Sequence, residues 1–260
     1  MIDLSKTVLD SGGNKPALVF LHGFCESKQV WERFTQPLQV NYRVVLLDLP
    51  GFGANTERRS DYTMESGATY VKDVLDNLGI QKCALIGHSM GGYMGLVFAE
   101  KYAGMLRGLC LFHSSALPDS AEKKQNRNRT IEFIQKHGLD KFMDTFVAPL
   151  FYEGNRAKNQ PDIQFLAQIG KQGDLEGIIG TVAGMRDRPD RTAVLENISC
   201  PVLFIVGKQD PAIPLEQSLQ QCALPKRAHA FFLNQTGHVG MFEWPEETLK
   251  ALAGFAGTLF

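Results

Sequence analysis

The sequence has no excess of either charge, no paired cysteines and no membrane-length apolar run, and each absence removes a class of function. Lysine and arginine number 27 against 28 acidic residues over 260 positions, a formal net charge of −1. That balance offers no cationic surface to nucleic acid or to an anionic membrane. The five cysteines, Cys25, Cys83, Cys110, Cys200 and Cys222, are odd in number and never fall as Cys-x-x-Cys. Such spacing argues against a disulfide framework and against a thiolate metal site. Cys83, Cys110 and Cys200 lie in or beside apolar blocks, where a reduced thiol acts as a small hydrophobe. The first 14 residues lack the apolar core of a signal peptide, and no later stretch is long enough for membrane insertion. A soluble, cytoplasmic protein is expected. Internal repeats and low-complexity tracts are also missing.

What is present is apolar material in short blocks. Hydrophobic residues make up 44% and charged residues 21%, enough for a sizeable core and too little charge for a disordered chain. Blocks at 17–21, 43–47, 83–86, 106–112, 201–206 and 230–233 read as strands, and 1–10 adds a short one before a Ser-Gly-Gly-Asn turn. Helical spacing separates them at 31–38, 64–78, 215–222 and from Pro245 onward. Continuous apolar strands alternating with helices predict an α/β fold, a mostly parallel central sheet with helices on both faces. The rhythm fails between 116 and 191, which is polar and strandless yet holds Phe133, Ile134, Phe142, Met143, Phe146, Phe151, Phe165, Leu166 and Ile169. That is too much apolar surface for disorder. A helical cap at 116–191, inserted in a core of 1–115 and 192–260 and covering the sheet's carboxyl edge, is expected.

One block organises the rest. The strand Cys83-Ala84-Leu85-Ile86 stops at Gly87, and a helix begins within a few residues, so Ser89 stands at an abrupt strand-to-helix turn inside Gly87-His88-Ser89-Met90-Gly91. A Cβ at 87 or 91 would crowd so tight a turn. Strained backbone angles at the serine lift its hydroxyl clear of the sheet. The helix start aims its amides at charge developing on a bound carbonyl oxygen. This is what a nucleophile needs.

A serine hydroxyl needs a base, and the base needs an orienting carboxylate. In an open parallel sheet, usable groups lie just past the carboxyl ends of the strands. Asp210 follows the strand 201–206 and His238 follows 230–233, so Ser89, Asp210 and His238 run in the order nucleophile, acid, base. Competing groups fit less well. His22 and His88 lie in glycine-bounded turns and shape the loops around the serine, where they can line the pocket. His113 ends a strand beside the site, as a pocket-lining or packed residue. His137 and His229 read as surface or strand-edge residues, and Trp31 and Trp244 as packing anchors. Asp48, before Pro50-Gly51, reads as a turn-capping carboxylate. Cys25 has no evident base beside it. Asp119, after the strand 106–112, is the one rival to Asp210.

Five segments stand in order along the chain: Leu21-His22-Gly23-Phe24, Asp48-Leu49-Pro50-Gly51-Phe52-Gly53, Gly87-His88-Ser89-Met90-Gly91-Gly92, Gly207-Lys208-Gln209-Asp210 with Pro214 beyond it, and Gly237-His238 followed by Glu243 and Pro245. Over nearly its whole length the chain resembles the α/β-hydrolase superfamily, in its serine-nucleophile branch. The resemblance implies a Ser89–His238–Asp210 triad and an oxyanion hole from the backbone amides of Phe24 and Met90. No metal and no organic cofactor are implied. Some members similar to this chain take their acid at the position of Asp119. Phe142 and Phe146, with Phe133 and Phe151, are expected on an apolar inner wall of the cap or in the packing of its helices. Arg127, Arg129, Arg186, Arg188 and Arg191 read as a solvated face; one pointing inward would suit a carboxylate-bearing substrate.

The serine excludes the halide- and epoxide-opening branches, which need an aspartate at that position. The Gly-His-Ser-Met-Gly-Gly elbow with a one-segment helical cap resembles small-molecule carboxylesterases and lactonases. An ester or lactone is therefore the expected partner of the site. Carbon–carbon bond hydrolases and the lyases of menaquinone synthesis are similar in layout. The lyases usually carry Tyr or Gln before the serine and Arg after the second glycine, where this chain has His88 and Tyr93. A third reading is a ligand-sensing signalling protein that keeps the triad and turns over slowly.

Overall fold

Seven short apolar segments pair edge to edge into one sheet. The computed structural model describes residues 4–56 and 58–260. The elements are α1 (Leu4–Thr7), β1 (Val8–Asp10), β2 (Ala17–Leu21), α2 (Gln29–Thr35), β3 (Arg43–Leu47), α3 (Met64–Asn77), β4 (Cys83–His88), α4 (Met90–Lys101) and β5 (Leu106–Phe112). They continue as α5 (Ala121–Phe146), α6 (Gln160–Lys171), α7 (Leu175–Asp187), α8 (Thr192–Asn197), β6 (Val202–Gly207), α9 (Leu215–Cys222), β7 (Ala228–Leu233), α10 (Gly240–Glu243) and α11 (Pro245–Ala256). The strand order is β1-β3-β2-β4-β5-β6-β7. Every neighbouring pair is parallel except β1 against β3. One departure from expectation lies at this edge: within 1–10 only 8–10 is strand, 4–7 is a helical turn, and 1–3 lie outside the described residues.

β2, β4 and β6 are buried at every position, which is why they read as unbroken apolar runs. Successive residues of a strand point to opposite faces. Leu109 of β5 faces Gly95 of α4, while its neighbour Gly108 faces Phe255 of α11, so these two helices cover opposite faces of the sheet. The helix expected at 31–38 ends early because Pro37 cannot continue its hydrogen bonding, and 36–40 tightens into a 3-10 turn.

Between β5 and β6 the described residues hold no strand. α5 breaks at Gly138 (φ 80°, ψ 165°) and packs on α6 and α7. α7 sits on the loop after β3 by close backbone approach: a Cβ on Gly177 would lie 2.5 Å from the Gly51 Cα, and one on Gly184 2.4 Å from the Tyr62 carbonyl oxygen. Arg191, ahead of α8, is buried against Glu65 of α3 and Glu100 of α4. No helix among the described residues is long and apolar enough to cross a membrane.

Candidate active site

β4 carries the chain to Ser89, whose backbone (φ 48°, ψ −111°) occupies a region that side-chain-bearing residues rarely visit. Its surroundings hold it there. The Ser89 N–H donates to the Phe112 carbonyl at 2.9 Å, and the Ser114 hydroxyl donates to the Ser89 carbonyl at 2.7 Å. A Cβ on Gly87 would stand 2.5 Å from the Gly91 carbonyl, and one on Gly91 2.6 Å from the Leu21 carbonyl oxygen. Only glycine permits those approaches. Met90 opens α4, so its amide is among the donors a helix start leaves without intrahelical partners. Phe24 lies in the loop after β2, next to Cys25, whose φ is 58°.

His238 follows β7 and is anchored through its N–H, which donates to the Leu150 carbonyl at 2.6 Å. Its Nδ1 lies 2.7 Å from Asp210 Oδ2. Asp210 follows β6 and is buried, with Oδ1 accepting the Ala212 and Ile213 amides at 2.8 and 2.9 Å. Burial alone would raise this carboxyl; the His238 charge and the hydrogen bonds from His113 and His238 prevail and hold it well below the usual range.

His113 is the second imidazole on that carboxylate. Backbone N–H groups approach both ring nitrogens, Gly240 at 3.1 Å from Nε2 and Gly207 at 3.3 Å from Nδ1, and the Asp210 carboxylate, which can only accept, lies 3.2 Å from Nδ1 and assigns the proton there. Burial outweighs the attraction of Asp210 and lowers the His113 pKa to about 4, so the ring is neutral at pH 7. His113, Asp210 and His238 bring ligand-type atoms within 4.8 Å of one another, but both Nδ1 atoms face Oδ2 as hydrogen-bond partners, which accounts for the cluster.

Ser89 and His238 border one cavity of about 540 Å³. Phe24, Phe146, Leu150 and Met185 give it an apolar side, while Lys123, Asn126 and Arg127 of α5 give it a polar one. A family model for the α/β hydrolase fold matches residues 16–245.

The chain belongs to the α/β hydrolases. This hydrolase is 29% identical over 269 residues to the 2-hydroxy-6-oxononadienedioate/2-hydroxy-6-oxononatrienedioate hydrolase of Klebsiella pneumoniae, covering 95% of this chain and 88% of that protein. It is 28% identical over 266 residues to a putative 2-succinyl-6-hydroxy-2,4-cyclohexadiene-1-carboxylate synthase of Bacillus subtilis, covering 95% and 93%. Among solved structures, a thermophilic esterase from Thermogutta terrifontis with malate bound matches at a TM-score of 0.90 and 30% identity, over 97% of this chain and 93% of that one.

The hydrolase places two of the five expected lining residues, His88 and Phe146, on the cavity wall. His22, His113 and Phe142 are not there. His22 donates from Nδ1 to the Gly23 carbonyl at 2.8 Å and accepts the Leu49 N–H on Nε2 at 3.0 Å, so it joins two loops behind the wall. His113 is turned to Asp210, and Phe142 stacks on Phe146, ring centres 4.8 Å apart. Asp119 meets cations rather than an imidazole: Arg188 at 2.8 Å, Arg127 at 3.1 Å and Lys123 at 3.7 Å. Arg188 is buried there with its guanidinium 3.9 Å from the Tyr93 ring centre. Of the five arginines between 127 and 191 read as a solvated face, only Arg127 reaches the cavity; Arg129 and Arg186 bond to neighbours at the surface. Cys25 is buried and its thiol is pushed well above its ordinary value, which leaves it unreactive.

Two buried carboxylates escaped the sequence reading. Glu243 accepts the Gly237 N–H at 2.7 Å and the Tyr152 N–H at 3.0 Å, tying the His238 loop to the segment after α5. Glu26 accepts the Gly23 N–H at 2.7 Å and contacts His88 Nδ1 at 3.0 Å. Glu243 stood inside a recognisable motif, so its place was visible though its role was not. Glu26 had no such signal.

Proposed function

We propose that this α/β hydrolase cleaves a small-molecule carboxylic ester or lactone through an acyl-enzyme on Ser89. The observation that carries the reading is the 2.7 Å contact of His238 Nδ1 with Asp210, made by an imidazole that shares its cavity with the strained serine. His238 Nε2 takes the Ser89 proton as Oγ bonds to the substrate carbonyl carbon. The oxyanion is received by the Phe24 and Met90 amides, each such donor typically worth ~3 kcal/mol. Collapse breaks the bond to the leaving alkoxide, which takes the proton from His238. Water then gives a proton to His238, its oxygen bonds to the acyl carbon, and Ser89 departs reprotonated. Asp210 fixes the imidazole tautomer and stabilises the imidazolium.

A second reading, carbon–carbon bond cleavage in an acid-bearing substrate, is favoured by Lys123 and Arg127 on the cavity wall and by the Klebsiella relative. The malate in the Thermogutta esterase likewise suits a carboxylate-bearing ligand. The test is steady release of p-nitrophenol from p-nitrophenyl butyrate, beside a panel of lactones and dienone acids. Continuous turnover is expected, with Ser89→Ala losing roughly 10⁵-fold or falling to background. One equivalent released and then a stall would support a ligand sensor, and preference for the dienone acids the second reading.

A further inference from the structure

Acyl transfer on Ser89 requires three loops to hold still together: the loop carrying Phe24, the elbow, and the loop carrying His238. One buried line of hydrogen bonds runs through all three. The Gly23 N–H donates to Glu26 Oε2 at 2.7 Å. That oxygen lies 3.0 Å from His88 Nδ1, and His88 Nε2 lies 2.8 Å from the His238 carbonyl oxygen. His88 directly precedes the nucleophile, and its ring centre is 5.1 Å from that of His238. The side chains of His88 and Glu26 are only 1% and 5% exposed.

The proton positions follow from the partners. A carbonyl oxygen can only accept, so His88 Nε2 carries a proton. An ionised Glu26 can only accept as well, and its Oε2 already serves Gly23. The contact between Oε2 and Nδ1 then needs one proton, and with Glu26 ionised that proton is on Nδ1, which makes His88 an imidazolium. Burial opposes either charge, but the partners' mutual attraction and hydrogen bond shift Glu26 downward and His88 upward from their ordinary values.

Resting on the hydrolase reading above, we propose that Glu26 and His88 are a positioning dyad. Their buried ion pair locks the oxyanion loop to the backbone of the base, and His88 cancels the negative charge that Glu26 alone would place beside the oxyanion. The two partners are therefore not equivalent. Glu26→Gln keeps part of the line: both contacts fall on Oε2, so an amide oxygen there still accepts the Gly23 N–H, while the ring, now neutral, keeps one of its two hydrogen bonds. Glu26→Ala severs it. His88→Leu leaves a buried carboxylate unpaired next to the reacting carbonyl, the costlier defect.

With p-nitrophenyl butyrate, Glu26→Gln should lower kcat less than about tenfold, and Glu26→Ala about 10²-fold with KM little changed, the loss expected from misplacement. His88→Leu should lose at least as much as Glu26→Ala, and adding Glu26→Gln to it should recover roughly tenfold, since a neutral amide removes the stranded charge. Thermal midpoints report which variants are folded; if His88→Leu is not, the Gln-against-Ala contrast at position 26 decides alone. The second readout is independent of turnover: the His88 ring ¹⁵N shifts at neutral pH should be those of imidazolium in the parent protein and of a neutral ring in Glu26→Gln. Equal losses for Glu26→Gln and Glu26→Ala, or a neutral His88 in the parent, would overturn the dyad. Failure of Ser89→Ala to abolish turnover would instead overturn the hydrolase reading and leave the ¹⁵N result standing on its own.

Discussion

At the scale of single residues, two aspartates compete for the role of acid, and their surroundings separate them. Asp210 is met by two imidazoles and two backbone amides, whereas Asp119 is met by two guanidiniums and Lys123. An amide at 210 can present its NH₂ to His238 Nδ1 and so select the wrong tautomer. Asp210→Asn should therefore lose about 10⁴-fold in kcat. Asp119→Asn removes the partner of the buried Arg188, an exchange that costs about 3 kcal/mol in stability but touches no reacting group. Its kcat per folded molecule should stay within about threefold of the parent, since it loses no transition-state contact. Paired measurements of kcat and thermal midpoint check both variants. If Asp119→Asn were the slow one and Asp210→Asn the merely unstable one, the acid would have to be reassigned.

At the scale of elements, α5 combines two helices' worth of behaviour. Before the break at Gly138, Lys123, Asn126, Arg127 and Thr130 share one face at helical spacing and reach the cavity. After it, Leu139, Phe142 and Met143 are buried in packing. Arg127 and Arg129 had both read as a solvated face, because periodicity shows that residues share a side and not what that side meets. Strands were easier to read. β2, β4 and β6 are covered on both faces, and such burial leaves a continuous apolar signature in the sequence itself. The elbow was legible for a similar reason, since its glycines, serine and helix start are adjacent. The Glu26–His88 contact was not, because it joins positions 62 apart that no local pattern relates. If Arg127 anchors an acid group, Arg127→Gln should raise KM for the mono-p-nitrophenyl ester of succinic acid about tenfold, the worth of one charge-assisted pair. KM for p-nitrophenyl butyrate should stay within about twofold, because that acyl chain carries no charge. Equal changes on both esters would remove the anchor.

At the scale of the whole molecule, the same buried groups that shape the site set the pH range over which the fold persists. The His113 pKa is about 4 when folded against an ordinary 6.5, so between those values the unfolded chain binds a proton that the native one refuses. Stability is then full above about pH 6.5 and falls as the pH drops toward 4, a loss of about 3 kcal/mol from this residue. Asp210, held low when folded, adds a further loss at still lower pH as its carboxylate is forced to protonate. His88 acts with the opposite sign. Its pKa is raised, so its contribution is complete below 6.5 and fades as the pH rises through its folded value. The native state is thus undercut from the acid side by the β5–β6 end of the site and from the alkaline side by the elbow. His113→Gln separates these effects, because glutamine can donate to Asp210 and accept from Gly240 without titrating. Urea midpoints measured from pH 7 to pH 4 should fall steeply in the parent and visibly less in His113→Gln, while the decline above pH 7 should be the same in both. Parallel acid limbs would mean that protons bind elsewhere first and that His113 does not set the acid boundary of this fold.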